Sequence, residues 1–188
     1  MKLLLASQSP RRKELLASLG YEFQSVSIDC DEVYPADLPA ENVAAYLSEL
    51  KAKAYGDLHE NEILITADTV VAIDGEILGK PKNTEEAKAM LSQLSGNKHQ
   101  VYTAVSVGVM GKIITETDVA EVEFLPISED EINFYISQYQ PMDKAGSYGI
   151  QEWLGMAKIS RINGSFYTIM GLPTHIIYRI LKEIEGKI

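Results

Sequence analysis

The chain has a single cysteine, Cys30, so no disulfide can close within it, which suits a reducing, cytoplasmic setting. Nowhere do about 18 apolar residues run together, which excludes a membrane-spanning helix. The opening "MKLLLAS" is too short for a secretory leader and runs straight into Pro10-Arg11-Arg12-Lys13, so it reads as a first buried strand. Positive charge is scarce: 17 basic against 27 acidic side chains give a net charge of -10, which opposes binding to nucleic acid or to an anionic membrane. His59, His99 and His175 stand apart, with no paired His or Cys at ligand spacing, and this argues against zinc. Glycine-rich phosphate loops of the G-x-x-x-x-G-K-[ST] and G-x-G-x-x-G kinds are missing, as is a G-x-S-x-G elbow. Repeats and Gly/Ser linkers are also absent, so residues 1–188 are expected to form a single domain.

What is present is a 46% hydrophobic chain of 188 residues, enough for one domain or two lobes sharing a core. Strand-like and helix-like patterns alternate. "EILITADTVVAIDGEIL" reads as a hairpin around Asp74-Gly75, and "HQVYTAVSVGVM" with "KIITETDVAEVEFLP" as a second one around Gly111-Lys112. Helices are expected over Glu41 to Tyr55, with Val43, Ala44, Leu47, Leu50 and Ala54 inward. Two more are expected over Asn83 to Leu94 and from Ser128 to near Tyr139, each opened by a capping box through Glu86 or Glu131. Strand-like runs flank Asn163-Gly164, and a last helix starts at Pro173. The pattern predicts an α/β (α+β) fold: a long twisted mixed sheet flanked by helices.

"LLASQSPRRKELL" predicts a helix with Ser9 as N-cap and Pro10 at the first helical position. Arg11, Arg12 and Lys13 in its first turn are unfavourable, each by about 0.3–1 kcal/mol, because the helix N-terminus is already partly positive. Two readings of these residues stay open. One is an anion cradle made of backbone N–H groups, the Ser7 and Ser9 hydroxyls and two guanidinium forks. The other is a solvated surface turn.

Asp68 shares strand parity with Leu64, Thr66, Val70 and Ala72, so it points to a face that is at least partly buried. A carboxylate there needs a partner, either an ion pair within the protein or a metal. The loop "SIDCDEVYPADLPAEN" adds Asp29, Asp31 and Glu32, hard oxygen donors suited to Mg²⁺ or Mn²⁺. Lys51, Lys80 and Lys144 are further scattered cations. Convergence of these with the arginines beside Asp68 would suit phosphoryl chemistry.

"ASQSPRR", "ITADTVV", "GKP", "HQVYTAV", "DKAGSYGIQ" and "INGSFYTIMGLP" together resemble the Maf family of nucleoside triphosphate pyrophosphatases, in order and spacing across the whole chain. The resemblance implies two lobes with a deep cleft, as in the inosine triphosphate pyrophosphatases, and often a homodimer. It implies hydrolysis of a nucleoside triphosphate to the monophosphate and pyrophosphate, as house-cleaning of nucleotide pools. On these residues it implies that Ser7, Arg11, Arg12, Lys51 and Lys80 bind substrate, Lys80 also serving catalysis. Asp68 would be the proton acceptor, and Asp68 with Glu32 would hold a divalent cation. Arg12, Thr69 and Gln151 fall on positions that separate the subfamilies, and "DKAGSYGIQ" resembles the dTTP/UTP branch. Many members of that branch have Gly after the glutamine, whereas this chain has Glu152-Trp153. The alternatives are a 7-methyl-GTP or other modified-nucleotide pyrophosphatase and, in another class, a non-catalytic regulator of septum formation.

Overall fold

The computed structural model describes residues 1–186. They run as β1 (Lys2–Leu5), α1 (Pro10–Ser18), β2 (Gln24–Ser25), α2 (Ala40–Ala54), β3 (Glu62–Ile73), β4 (Glu76–Leu78), α3 (Thr84–Leu94), β5 (Lys98–Val109) and β6 (Lys112–Phe124). There follow α4 (Glu129–Tyr139), two single-turn 3₁₀ helices (Pro141–Asp143 and Ala145–Ser147), α5 (Trp153–Lys158), β7 (Ile159–Asn163), α6 (Phe166–Met170) and α7 (Thr174–Glu185). Hydrogen bonding orders the strands β2-β1-β3-β5-β6-β7, with β4 added to β3. β1 pairs in parallel with β2 and β3, whereas β3/β4 and β6/β7 are antiparallel, so the sheet is mixed as expected.

The chain divides into two units: Met1–Asp68, Thr103–Asp118 and Gly171 onward form the first, Thr69–Tyr102 and Val119–Met170 the second. In the first, Leu4, Leu64 and Ala52 are buried together with Val26, Tyr55 and Leu58 against them. In the second, Leu91, Leu94, Val122, Phe124, Tyr135, Tyr148, Ile150 and Leu154 share one core. β3 is buried almost throughout on both faces, as a strand covered on both sides must be. β6 alternates near its end, with Ala120, Val122 and Phe124 buried, so a polar face with Glu121 and Glu123 is left wetter.

Several local expectations need correction. Ser9 stands at the α1 N-cap in extended conformation, but its side chain makes no cap hydrogen bond. Asn83 caps α3 by accepting from Glu86 N–H, yet the Glu86 carboxylate reaches past Asn83 to Lys82 N–H (2.8 Å), so no reciprocal box closes. The Ser128/Glu131 box does close on both sides. In α2 the buried stripe continues through Ser48 and Ala52, and Ala54 is exposed. "SFYTIM" after Gly164 folds as the short α6 rather than a strand, with Thr168 and Ile169 N–H groups both donating to Ser165 O. Of the strand-like run before Asn163 only Ile159–Asn163 is strand, and it is preceded by the short helix α5.

Candidate active site

Asp68 ends the part of β3 that belongs to the first unit and is only 8% exposed. Its Oδ1 accepts a hydrogen bond from Lys51 Nζ at 2.6 Å. Two steps down the strand, on the same face, Thr66 Oγ1 donates to the Ser48 carbonyl of α2 (2.7 Å), and Ser48 Oγ donates to Ser106 Oγ (2.9 Å). Ser106 in turn bonds Thr115 Oγ1 at 2.8 Å. This buried hydroxyl ladder sets the height of α2 against β3. Lys51, three residues after Ser48 and so on the same helix face, is delivered to Asp68 by it. Ser48 lies within the apolar stripe of α2 and Thr66 between Ile65 and Ala67. A hydroxyl at such core positions is a sequence signal for a buried bond.

Lys51 serves a second acid. Glu32, in the loop between β2 and α2 and with its side chain half exposed, places Oε2 3.0 Å from the same Nζ. One ammonium thus neutralises two carboxylates from different elements, which is what makes a buried charge at Asp68 tolerable.

Arg12 lies on the other side of the question posed by the basic helix start. Its Nε donates to Gly171 O (2.7 Å) and its Nη1 to Ala67 O (3.0 Å), the carbonyl just before Asp68. Burial lowers the Arg12 pKa, while the charges of Asp68 and Glu32 pull it back up and that of Arg11 adds to the lowering. The first turn of α1 holds no acid of its own. Asp68 and Glu32, from β3 and the loop, supply negative charge that acts on Arg12. Ser7 is buried, and its Oγ accepts from Ser9 N–H at 3.2 Å, which fixes the turn that leads into α1.

Thr69, Lys80 and Gln151 belong to the second unit. Thr69 is half-buried on β3 directly after Asp68, and Lys80 is exposed just past β4, next to Gly79, whose carbonyl accepts from Gly146 N–H (3.1 Å). Gln151 is exposed between buried Ile150 and Glu152. Lys144 was grouped with the phosphate-facing cations, but its side chain is turned inward, 2.7 Å from Asp143 and 3.1 Å from Glu152.

The donor set favours one kind of metal. Asp68 and Glu32 already converge on a single cation position, the Lys51 ammonium, and both offer hard oxygen. Among the described residues no group of three or more His, Cys, Asp or Glu could enclose an ion. Magnesium is held in the same way in phosphate-handling sites, by one or two carboxylates with the substrate's own oxygens completing the shell. Residues and ion therefore fit.

The chain is thus a mixed α/β protein with a buried carboxylate–lysine pair beside a basic helix start. The chain belongs to the Maf family: residues 2–184 match the description "Maf-like protein". It is 50% identical over 186 residues to a protein of Porphyromonas gingivalis named dTTP/UTP pyrophosphatase, covering 97% of this chain and 94% of that one. A Bacteroides thetaiotaomicron protein of the same name is 48% identical over 185 residues (97% and 96%). One from Flavobacterium psychrophilum is 42% identical over 181 residues (96% and 93%). Among solved structures, the Staphylococcus aureus Ham1 protein matches with a TM-score of 0.44 and 16% identity, over 66% of this chain and 72% of that one, too distant to bear on the site. No helix among the described residues is long and apolar enough to cross a membrane.

Proposed function

We propose that this chain hydrolyses dTTP and UTP to the monophosphate and pyrophosphate. The reading is supported above all by the Asp68–Lys51–Glu32 constellation in a Maf chain. Its relatives at 42–50% identity are named for this activity. Water attacks the α-phosphorus, the bond from that phosphorus to the bridging oxygen breaks, and pyrophosphate leaves with the electron pair. Asp68 takes the water's proton. Arg11, Arg12 and Lys80 offset charge on the triphosphate, and the Ser7 hydroxyl adds a hydrogen bond to it. A divalent cation, Mg²⁺ or Mn²⁺, held by Asp68 and Glu32 would supply charge neutralisation and a more acidic water. Lys51 holds the two acids in place until then. Thr69 and Gln151 read the base, and two copies of the chain form the homodimer implied by the resemblance.

The test is pyrophosphate release across common and modified nucleoside triphosphates, 7-methyl-GTP included, with Mg²⁺, Mn²⁺ or chelator. Highest kcat/KM is expected on dTTP and UTP, lost with chelator. Asp68→Asn should lower turnover by about 10²–10⁴-fold with the fold intact. Near-normal release by that variant, or a preference for 7-methyl-GTP, overturns the assignment, and turnover on no triphosphate leaves the regulator reading in its place.

A further inference from the structure

Glu152 has a definite role in the second unit. The Glu152 N–H donates to Gly149 O at 3.0 Å, closing a four-residue turn with Ile150 and Gln151 at its centre. Ile150 points into the core, which leaves Gln151 outside. A single hydroxyl grips both ends of this turn. Tyr135 of α4 accepts from Gly149 N–H (3.0 Å) and donates to Glu152 Oε2. The other carboxylate oxygen, Oε1, is 3.1 Å from Lys144 Nζ, whose ammonium also meets Asp143. Tyr135 is fully buried and stacked on Tyr139, with ring centroids 5.1 Å apart, so its hydroxyl is a fixed point. Burial first, and then the bond to Glu152, raise the phenol pKa, so it stays a donor. Gly149 is part of the design. A Cβ there would lie 2.8 Å from Glu152 Cδ, and the lack of one lets the carboxylate fold back over its own turn.

The chemistry of the base explains why rigidity matters. Uracil and thymine present an acceptor at O4 beside the N3–H donor, whereas cytosine presents the reverse, an amino donor beside an acceptor. A carboxamide carries both a donor and an acceptor, so one that is free to flip or shift serves either base. Discrimination needs the amide delivered at one distance and angle to the base edge, and that starts from a backbone that does not shift.

We propose that Tyr135 and Glu152 are positioning residues for base selection, clamping the two ends of the Gly149–Glu152 turn so that the Gln151 side chain is presented to the pyrimidine edge from one fixed backbone position. This rests on the reading of Gln151 as a base-contacting residue.

The experiment measures kcat and KM for UTP and CTP in wild type, Y135F, E152A, E152Q and Q151A, and in Q151A combined with Y135F or E152A. Y135F and E152A should each lower the UTP-over-CTP preference by about tenfold, more through KM for UTP than through kcat. E152Q keeps an oxygen for the Tyr135 hydroxyl and should retain part of the preference. In the Q151A background neither substitution should change the preference further, because the group they act through is gone. If Q151A abolishes the preference while Y135F leaves it within about twofold, the clamp is refuted and the Gln151 reading stands. If Q151A leaves the preference intact, the Gln151 reading falls and takes the clamp with it. Y135F removes one oxygen and keeps the ring in the core, so it decides the matter where E152A does not fold. A Y135F that loses thermal stability without losing preference makes Tyr135 structural only, against the proposal.

Discussion

Acid should destabilise this protein through His99, before most carboxylates have titrated. The imidazole is buried between Phe124 and Tyr148, with ring centroids 5.3 and 5.4 Å away, and its Nε2 shares a hydrogen bond with Tyr148 Oη at 2.7 Å. Its Nδ1 has no hydrogen-bond partner among the described residues, and burial pushes the imidazole down from 6.5 to about 4. The unfolded chain therefore binds a proton in a range where the folded one does not. Stability is full above pH 6.5, falls as pH drops through the window, and stops falling from this source once pH is below about 4. Integrating between those two values, the loss is about 2 kcal/mol at pH 5 and about 3 kcal/mol at pH 4. For a chain of this length the loss at pH 5 corresponds to about 4–8 °C in Tm. Other groups titrate in acid too, so the measurement is a difference. Urea unfolding of wild type and His99→Gln is followed from pH 7.5 to 4. Glutamine keeps a polar partner for Tyr148 and cannot ionise. The stability of wild type relative to the variant should drop by about 2 kcal/mol between pH 7.5 and 5. A difference constant within about 0.5 kcal/mol over that range refutes the buried imidazole as the acid-sensitive group.

Lys51→Met should cost about 3–5 kcal/mol in urea unfolding, because Asp68 is left buried and faces Glu32 without its ammonium. The double variant with Asp68→Asn should recover part of that loss, and strict additivity would refute the pairing. Ser48→Ala removes the donor to Ser106 and should cost about 1–3 kcal/mol. It should also lower turnover on dTTP, since the helix carrying Lys51 loses its fixed height; unchanged kinetics would detach the ladder from the site. Gly164→Ala should destabilise the second unit by more than about 1 kcal/mol. Its φ is +127°, and an added Cβ would lie 2.8 Å from Ala120 Cα, backbone that cannot swing aside. Thermal melting decides this one, with an unchanged Tm as the contrary result.

The hairpins, the Ser128 box and the buried face of Asp68 were legible because each is written in neighbouring residues. Periodicity of two placed Asp68, and a three-residue spacing placed Ser128 with Glu131. Partners across elements were not legible. Lys51 meets Asp68 only because Ser48 and Thr66 set one helix at one height on one strand, a packing fact with no local signature. The inward turn of Lys144 towards Asp143 and Glu152 likewise depends on the fold. "SFYTIM" carries β-rich residues and still folds as α6, since tertiary context outweighs propensity in so short a segment. Glu86 failed to close a box for a smaller reason. Its carboxylate found the Lys82 N–H, one residue beyond the cap.

The bond from Arg12 to the Gly171 carbonyl spans 159 positions in the chain, against 55 for its bond to Ala67. During synthesis the first helix, its basic turn and the strand bearing Asp68 are all made long before that carbonyl exists. The ribosome must deliver 159 further residues before the guanidinium can reach the Gly171 carbonyl. Maturation of the site is therefore a late event in biogenesis, and a nascent chain stalled short of Gly171 holds Arg12 by one of these two carbonyls only.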